Sequence, residues 1–368
     1  MTSTAPVEAA VDRDLALDLL RRMLAVPSPP YEERALAELL VEAMSGLGLH
    51  ARIDAAGNAI GETGAGDGPT VYLVGHLDTA PGIVPVREDG RRLFGRGAAD
   101  AKGPLAALVL AAAQARDVPG RIVVAGAVEE ETQASRGAQH LVATLDPPDA
   151  LVVGEPSGWS CVTLGYKGKV DVVYRISRPA THPTNPAPKA TEVAAAFWSD
   201  VLSLVEGWDR RGDDRRPGHA AFDRLAVTLV AMRGDLEQAE LELCFRTPVG
   251  FDTDGLLSLL AELGRGGGLE LVARVAATRA DRRSAVVRAL TGAIRRAGGE
   301  PRLKVKTATS DINVLAEHWQ VPMATYGPGD SRLDHADDEH IEIDEYLNGI
   351  RVLADALHRL TEAREETT

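Results

Sequence analysis

Along the first 155 residues, short unbroken apolar runs alternate with longer segments whose apolar residues recur every three or four positions. "LALDLLRRMLAV" and "ERALAELLVEAMSGLG" carry the helical spacing, and the second closes on Gly46 and Gly48; both predict amphipathic helices. "TVYLVG" (70–75), "RIVVAGAV" (121–128) and "DALVVG" (149–154) are continuous apolar runs, as expected for strands covered on both faces. Between the first two lies the alanine-rich "AKGPLAALVLAAAQAR" (101–116), a helix that accepts Pro104 because its first turn has no use for that N–H. The pattern predicts an α/β domain with a largely parallel sheet.

The texture changes near residue 163. "YKGKVDVVYRIS" and "DRLAVTLVAMRG" read as strands, "AELELCFRTPV" alternates as a half-solvated strand does, and "LELVARVAATRA" closes the set. Two helical patterns, "KATEVAAAFWSDVLSLVEG" and "DTDGLLSLLAELG", interrupt them. This order predicts a separate α+β unit over 165–280. The α/β texture then resumes with "SAVVRALTGAIRRAGG", the strand "VPMATYG" (321–327) and the terminal helix "IDEYLNGIRVLADALHRL". The first domain, 1–164 and 281–368, is therefore expected to be interrupted by an inserted second one. The charged stretch "DRRGDDRRPGH" (209–219) reads as a solvated loop.

Composition narrows the function classes. The 368 residues are 45% hydrophobic, enough for a sizeable core and, by length, for two domains. A net charge of −14, from 54 acidic and 40 basic side chains, argues against a general affinity for nucleic acid or anionic membrane. The N-terminal "MTSTAPVEAAVDRDL" has neither a charged region followed by an apolar one nor a spanning run, so a cytoplasmic location is expected. Cys161 and Cys244 sit in strand-like segments outside any CxxC pair and are expected to be buried free thiols.

The candidate chemistry lies where the predicted parallel strands end. The run at 70–75 ends on His76 and Asp78, that at 121–128 on Glu129, Glu130 and Glu131, and that at 149–154 on Glu155. The run at 321–327 leads into "GPGDSRLDHADDEH", which holds His335, and Asp100 closes "LFGRGAAD" just before the alanine-rich helix. Ligands of open α/β sheets bind at the carboxyl ends of the strands. Singly, each residue has a plainer role: a structural histidine, a helix N-cap at Asp100, a solvated acidic turn. Jointly, carboxylates and imidazoles at one sheet edge repel strongly without a counter-charge, and a divalent cation supplies one. Imidazole and carboxylate without thiolate fit zinc, cobalt or manganese in a hydrolytic site. Five ligands exceed what one catalytic zinc uses, so two ions about 3.5–4 Å apart, sharing a bridging carboxylate, are expected.

The motifs "VGHLDTAPG", "GRGAADAKGPLAA", "AVEEETQASRGA", "VGEPS" and "YGPGDSRLDHADDEH" together resemble the zinc-dependent M20 peptidase and deacylase family, over nearly the whole chain. Through "TSDINVLAEHWQVPMATYGPGDSRLDHADDEHI" the resemblance is nearest to members that release lysine or ornithine from a small amino-group carrier protein. It implies a phosphorylase/hydrolase-like catalytic domain interrupted by a lid and dimerisation domain. It also implies two divalent metal ions, with zinc preferred and cobalt possible in its place. Asp100 would be the bridging carboxylate, His76 and Glu155 would complete one site, and Glu131 and His335 the other. Glu130 matches the general base and Asp78 the residue that supports His76. The family carries two consecutive glutamates where this chain has three; Glu130 and Glu131 are chosen because Thr132 aligns with the residue that follows the pair.

His182 in "RPATHPTNP" matches the inserted-domain histidine that reaches a partner's active site in dimeric members, although Pro183, Pro186 and Pro188 replace the usual serine-rich surroundings. Arg246 in "LCFRTP" matches an arginine that holds a substrate carboxylate, and Ser310 a pocket-lining position. The implied reaction is metal-assisted hydrolysis of a linear amide, with Glu130 shuttling the proton. The expected acyl donor is the C-terminal γ-glutamyl group of an acidic carrier protein, which the basic stretch "ARVAATRADRRSAVVRALTGAIRRAGGEPRLKVK" could receive. A homodimer through the inserted domain is also implied. Two other readings are a small-molecule N-acyl amino acid deacylase or dipeptidase, and an inactive binding protein on the same fold; retention of Glu130 and Asp100 speaks against the latter.

Overall fold

The computed structural model describes residues 11–209 and 221–362; the predicted loop at 209–219 falls almost wholly outside them. Helices α1 (Arg13–Leu24) and α2 (Arg34–Gly46) precede strands β1 (His50–Ile53), β2 (Ala59–Thr63) and β3 (Thr70–His76). The short strands β4 (Arg87–Glu88) and β5 (Arg92–Phe94) lead to α3 (Lys102–Gln114), β6 (Arg121–Ala127), α4 (Arg136–Thr144), β7 (Ala150–Val153) and β8 (Cys161–Tyr166). Next come β9 (Gly168–Ser177), α5 (Ala190–Asp209), β10 (Ala226–Gly234), β11 (Gln238–Thr247), α6 (Thr253–Leu263), β12 (Gly268–Val275) and β13 (Thr278–Arg279). The chain closes with α7 (Ala285–Arg296), β14 (Arg302–Lys306), α8 (Asp311–His318), β15 (Met323–Thr325), β16 (His340–Glu342) and α9 (Ile343–Thr361). It divides into two compact units: one holds the described residues up to Gly165, Ala280–Lys304 and those from Val314 on, and the other Tyr166–Arg279 with Val305–Asn313.

In the first unit the sheet runs β1-β2-β6-β3-β7-β15-β8. Its centre is parallel, β6 with β3, β3 with β7 and β7 with β15, whereas β1, β2 and β8 join antiparallel at the edges. The sheet is therefore mixed. The unbroken apolar runs are its central strands, buried almost throughout. Helix α3 is apolar all round and all but its last residues are buried, as a helix without a polar stripe requires. Glycines let it lie close to the sheet: a Cβ on Gly154 would come within 2.6 Å of Leu108, and one on Gly75 within 3.3 Å of Leu105. Leu105 and Leu108 are fully buried, so truncating either to alanine would cost about 2–5 kcal/mol. The N-cap position of α3 is Ala101, with no side-chain cap, so Asp100 is not spent on capping.

A small antiparallel sheet, β16-β5-β4, completes this unit. It pairs His340 with Phe94 and Ile341 with Leu93, which lays the residue before β16 against the loop that follows β5. Among the described residues, no helix is long and apolar enough to cross a membrane.

The second unit is a four-stranded sheet in the order β10-β11-β9-β12, antiparallel throughout. Burial alternates residue by residue along β9 and β11, so one face carries the core. Val170, Val172, Tyr174, Leu241, Leu243 and Phe245 share that core with α5 and α6 residues, and Tyr174 stacks on Phe197 with ring centroids 4.0 Å apart. The opposite alternation leaves Val230 and Met232 of the edge strand β10 exposed. Both cysteines are free, as expected, but half-buried rather than buried.

Candidate metal centre

Register sets the site. His76 of β3 pairs with Ala127 of β6, and Val74 pairs with Val153 of β7, so the three parallel strands end nearly level. Each then releases an acidic or imidazole side chain within a few residues: His76 itself, Glu129 to Glu131, and Glu155. Strand β15 ends in register with β7, Thr325 opposite Val153, and the loop beyond it delivers His335.

Asp100 lies between the histidines and offers one oxygen to each. His76 Nε2 is 3.3 Å from Asp100 Oδ1 and 3.9 Å from Glu155 Oε1. His335 Nε2 is 3.4 Å from Asp100 Oδ2 and 2.9 Å from Glu131 Oε1. Two ligand groups result, His76–Asp100–Glu155 and Asp100–Glu131–His335, each with its donor atoms within 4.8 Å of one another. His76 and Glu155 of the first are buried, whereas the His335 side chain is 53% exposed, so the site is open on that side.

The supports are as specific as the ligand groups. The short contact of His76 Nδ1 is to the main-chain oxygen of Asp78 at 2.8 Å, which orients the ring with Nε2 toward Asp100. The Asp78 carboxylate, 3.7 Å from that ring, instead accepts the N–H groups of Glu130 at 3.0 Å and Glu131 at 2.8 Å. Asp78 thus steadies His76 through its backbone and the glutamate turn through its side chain. Glu129, the first of the triplet, is buried, and its carboxylate accepts from Arg136 Nε at 2.5 Å. Its own N–H donates to Glu33. Left-handed backbone at Glu129 (φ 61°) and His335 (φ 62°) costs on the order of 1 kcal/mol at each. Such strain persists only where surrounding contacts dictate it.

Glu339 is the support that the sequence does not announce. It is buried and accepts Gly97 N–H at 3.0 Å, Ala99 N–H at 2.9 Å, Asp100 N–H at 3.0 Å and Arg96 Nη1 at 2.8 Å. The loop carrying Asp100 is therefore moulded around a carboxylate from the far end of the chain. Nothing in the run Asp337-Asp338-Glu339 marks which acid turns inward; the β16–β5 pairing is the signal.

The electrostatics favour cations. Burial is the strongest influence on His76 and would lower its pKa, yet the Asp100 and Asp78 carboxylates outweigh it and hold the imidazole well above its usual range. His335 is raised to about 9, chiefly by Asp100, against the opposing effect of burial. Burial lifts Glu131 above an ordinary glutamate, and Asp100 beside it pushes the same way. The cluster draws positive charge toward the gap between the histidines, the condition for holding divalent ions. Nitrogen and carboxylate oxygen donors fit zinc or its neighbours, and the residues present fit a two-ion centre.

The remaining predicted residues lie in the second unit. Arg246 is half-buried on β11 and its Nη1 donates to Thr309 at 3.2 Å. Ser310 is buried, its N–H donating to Asn313 at 3.0 Å, while its hydroxyl has no hydrogen-bond partner among the described residues. His182 is exposed in the turn before α5, its Nδ1 2.8 Å from Thr184 Oγ1.

A family model described as peptidase family M20/M25/M40 matches residues 72–359. A LysW-lysine hydrolase of Deinococcus radiodurans is 37% identical over 95% of this chain and 98% of its own. A protein of Thermococcus kodakarensis provisionally named LysW-lysine/LysW-ornithine hydrolase is also 37% identical, over 95% of this chain and 93% of its own. Among solved structures, an M20 family metallo-carboxypeptidase of Sulfolobus solfataricus superposes with a TM-score of 0.78 at 17% identity, over 94% of this chain and 99% of that one.

Proposed function

Because the chain belongs to the peptidase family M20/M25/M40, we propose that it hydrolyses a linear amide, releasing lysine, ornithine or a related diamino acid from the C-terminal γ-glutamyl group of an acidic amino-group carrier protein. One observation carries the chemistry: Asp100 belongs to both ligand groups and turns a separate oxygen to each histidine. The identity to relatives with LysW-linked substrates in their names, over nearly the full length of both chains, supports the substrate.

In this reading His76, Asp100 and Glu155 hold one ion, and Asp100, Glu131 and His335 the other, with zinc preferred and cobalt an effective substitute. When bound, the ions supply a Lewis acid for the scissile carbonyl and lower the pKa of the attacking water. Glu130 accepts the water proton and returns it to the leaving amine as the C–N bond breaks. Its neighbour Glu129 is bound to Arg136, which supports Glu130 as the base. Glu130 lies near enough to His76 to favour that ring's charge, and Asp78 fixes its backbone.

Arg246 is proposed to hold the α-carboxylate of the amino acid, for which a guanidinium fork is suited, and Ser310 is proposed as a pocket-lining residue. His182 is proposed as an oxyanion donor in a homodimer formed through the inserted unit, whose exposed edge strand β10 with Val230 and Met232 is suited to pairing. The inserted unit, expected at 165–280, would act as lid and dimerisation domain, and the rest of the chain as the catalytic domain.

The test is amine release by the zinc-loaded protein from N-acetyl and γ-glutamyl lysine and ornithine, compared with the same amino acids on an acidic carrier protein. Release mainly from the carrier is expected. Equal or faster release from the small amides would make this a general deacylase. A chelator should abolish release and added zinc or cobalt restore it.

A further inference from the structure

Outside the metal centre, the first unit holds a cavity of about 400 Å³ beside α7, lined by Arg282, Arg283, Arg288 and Arg295 together with Val287 and Leu303. Arg288 and Arg295 stand seven residues apart on α7, two turns along one face. Ser284 caps that helix by accepting Val287 N–H at 3.3 Å, and the turn before it projects Arg282 and Arg283 to the same cavity. All four arginines are exposed.

Two of them bond main-chain oxygen: Arg288 donates to the Arg283 carbonyl and Arg295 to the Thr291 carbonyl. Asp281, the nearest acid in sequence, receives the Arg283 backbone N–H at 2.8 Å. Among the described residues, none of the four pairs with a carboxylate. Arg296, adjacent on the helix but turned away, is by contrast bound to Asp355 at 2.6 Å. In a chain with 54 acids and 40 bases, four guanidiniums around one cavity without a carboxylate form a site of like charge that an anion would relieve.

We propose that this cavity docks an acidic protein segment, the surface of the carrier whose amide the chain is proposed above to hydrolyse; the inference rests on that reading. Two helical turns span roughly 10 Å, wider than one phosphate and suited to several carboxylates along a chain. Val287 and the 41% exposed Leu303 give an apolar floor for the methylenes of glutamate side chains. The net charge of −14 would repel an acidic protein at a distance, so a local basic patch is what orients the encounter.

The experiment compares the zinc-loaded parent with Arg288→Glu/Arg295→Glu and, as a milder pair less able to disturb folding, Arg288→Gln/Arg295→Gln. Substrates are γ-glutamyl-lysine alone and lysine on the acidic carrier, at low and moderate salt. KM for the carrier is expected to rise at least about tenfold in the reversal variant and less in the glutamine variant. Unchanged kcat and KM for the small amide and a flatter salt dependence are expected alongside. An unchanged carrier KM, or equal losses on both substrates, overturns the docking site while leaving the hydrolase reading intact. If the parent releases nothing from the carrier, that reading fails instead, and fluorescence anisotropy with a labelled ten-residue glutamate peptide decides the docking site. Binding lost on charge reversal supports the site. Equal binding by parent and variant, no binding, or displacement by millimolar inorganic phosphate overturns it.

Discussion

The acids around Asp100 and the arginines around Arg288 both gather like charges in the first unit, yet they are held in opposite ways. His76, Asp78, Glu155 and Glu339 are buried, and backbone N–H groups fix the supporting carboxylates atom by atom. The four arginines are exposed, and among the described residues no carboxylate fixes any of them. Coulomb interactions are several-fold stronger where water is excluded, so the buried cluster requires a compact, multivalent counter-charge at a defined point. The exposed cluster is screened over about 8–10 Å at ordinary ionic strength, and so tolerates its own repulsion and suits a broad, exchangeable partner. The same kind of crowding therefore indicates an ion in one place and a protein surface in the other.

Variants can break the comparison at its strong end first. Glu130→Gln should keep the bound metal, measured by elemental analysis, and lose about 10²–10⁴-fold in kcat; near-normal turnover would mean another residue moves the proton. Asp100→Ala removes the oxygens common to both groups and should bring zinc below two per chain with activity lost. Retention of two tightly held ions would remove the argument for a shared ligand. Glu339→Gln leaves every ligand in place but loosens the loop that carries Asp100, so metal affinity should fall about 10–100-fold, as for other residues that orient ligands. Here a competition titration against a chelator is the readout, and parental affinity would reduce Glu339 to a structural residue.

The smallest effect belongs to an ordinary ion pair network that serves as the baseline. Glu62 binds Arg121 at 2.6 Å and Arg52 at 2.7 Å. Burial opposes its charge, yet these arginines hold its pKa below the usual glutamate value. A lowered folded pKa gives stability that is present above the unfolded value and lost as pH falls through the folded one. Glu62→Gln should therefore cost no more than about 1 kcal/mol at neutral pH, and the gap to the parent should close on acidification below the normal glutamate range. Denaturant melts at neutral and acid pH measure it; a gap that widens with acid would reverse the sign.

The residues of the two candidate metal groups were legible because of where they fall. His76, Glu131 and Glu155 each follow an unbroken apolar run, and parallel strands of similar length bring such positions to one edge. The outer strands, β1 at the edge and β2 next to it, were not legible: "HARI" and "AIGET" are short and not uniformly apolar, and only the antiparallel pairing of β2 with β6 gives them a place. Asp78 was expected to support His76; its contacts are divided between backbone, to His76, and carboxylate, to the glutamate turn, and that division depends on a turn geometry that composition does not encode. Glu33 and Glu339 look like surface charges but are buried, because the burial of a polar side chain is decided by its partners and those are distant in sequence. The second unit was legible as a fold through period-two alternation, whereas the roles of His182, Arg246 and Ser310 depend on a substrate.

Glu339 and His335 also place a clock on the protein's birth. A chain leaving the ribosome displays His76, Asp100, Glu131 and Glu155 some two hundred residues before His335 and the carboxylate that shapes the Asp100 loop. The nascent polypeptide can present isolated acids and one imidazole to cellular metals, but no completed pair of cradles. In the proposed two-ion reading, loading would then fall after synthesis, once β16 has closed against β5, and a chain released early by a stalled ribosome would lack the means to capture both ions.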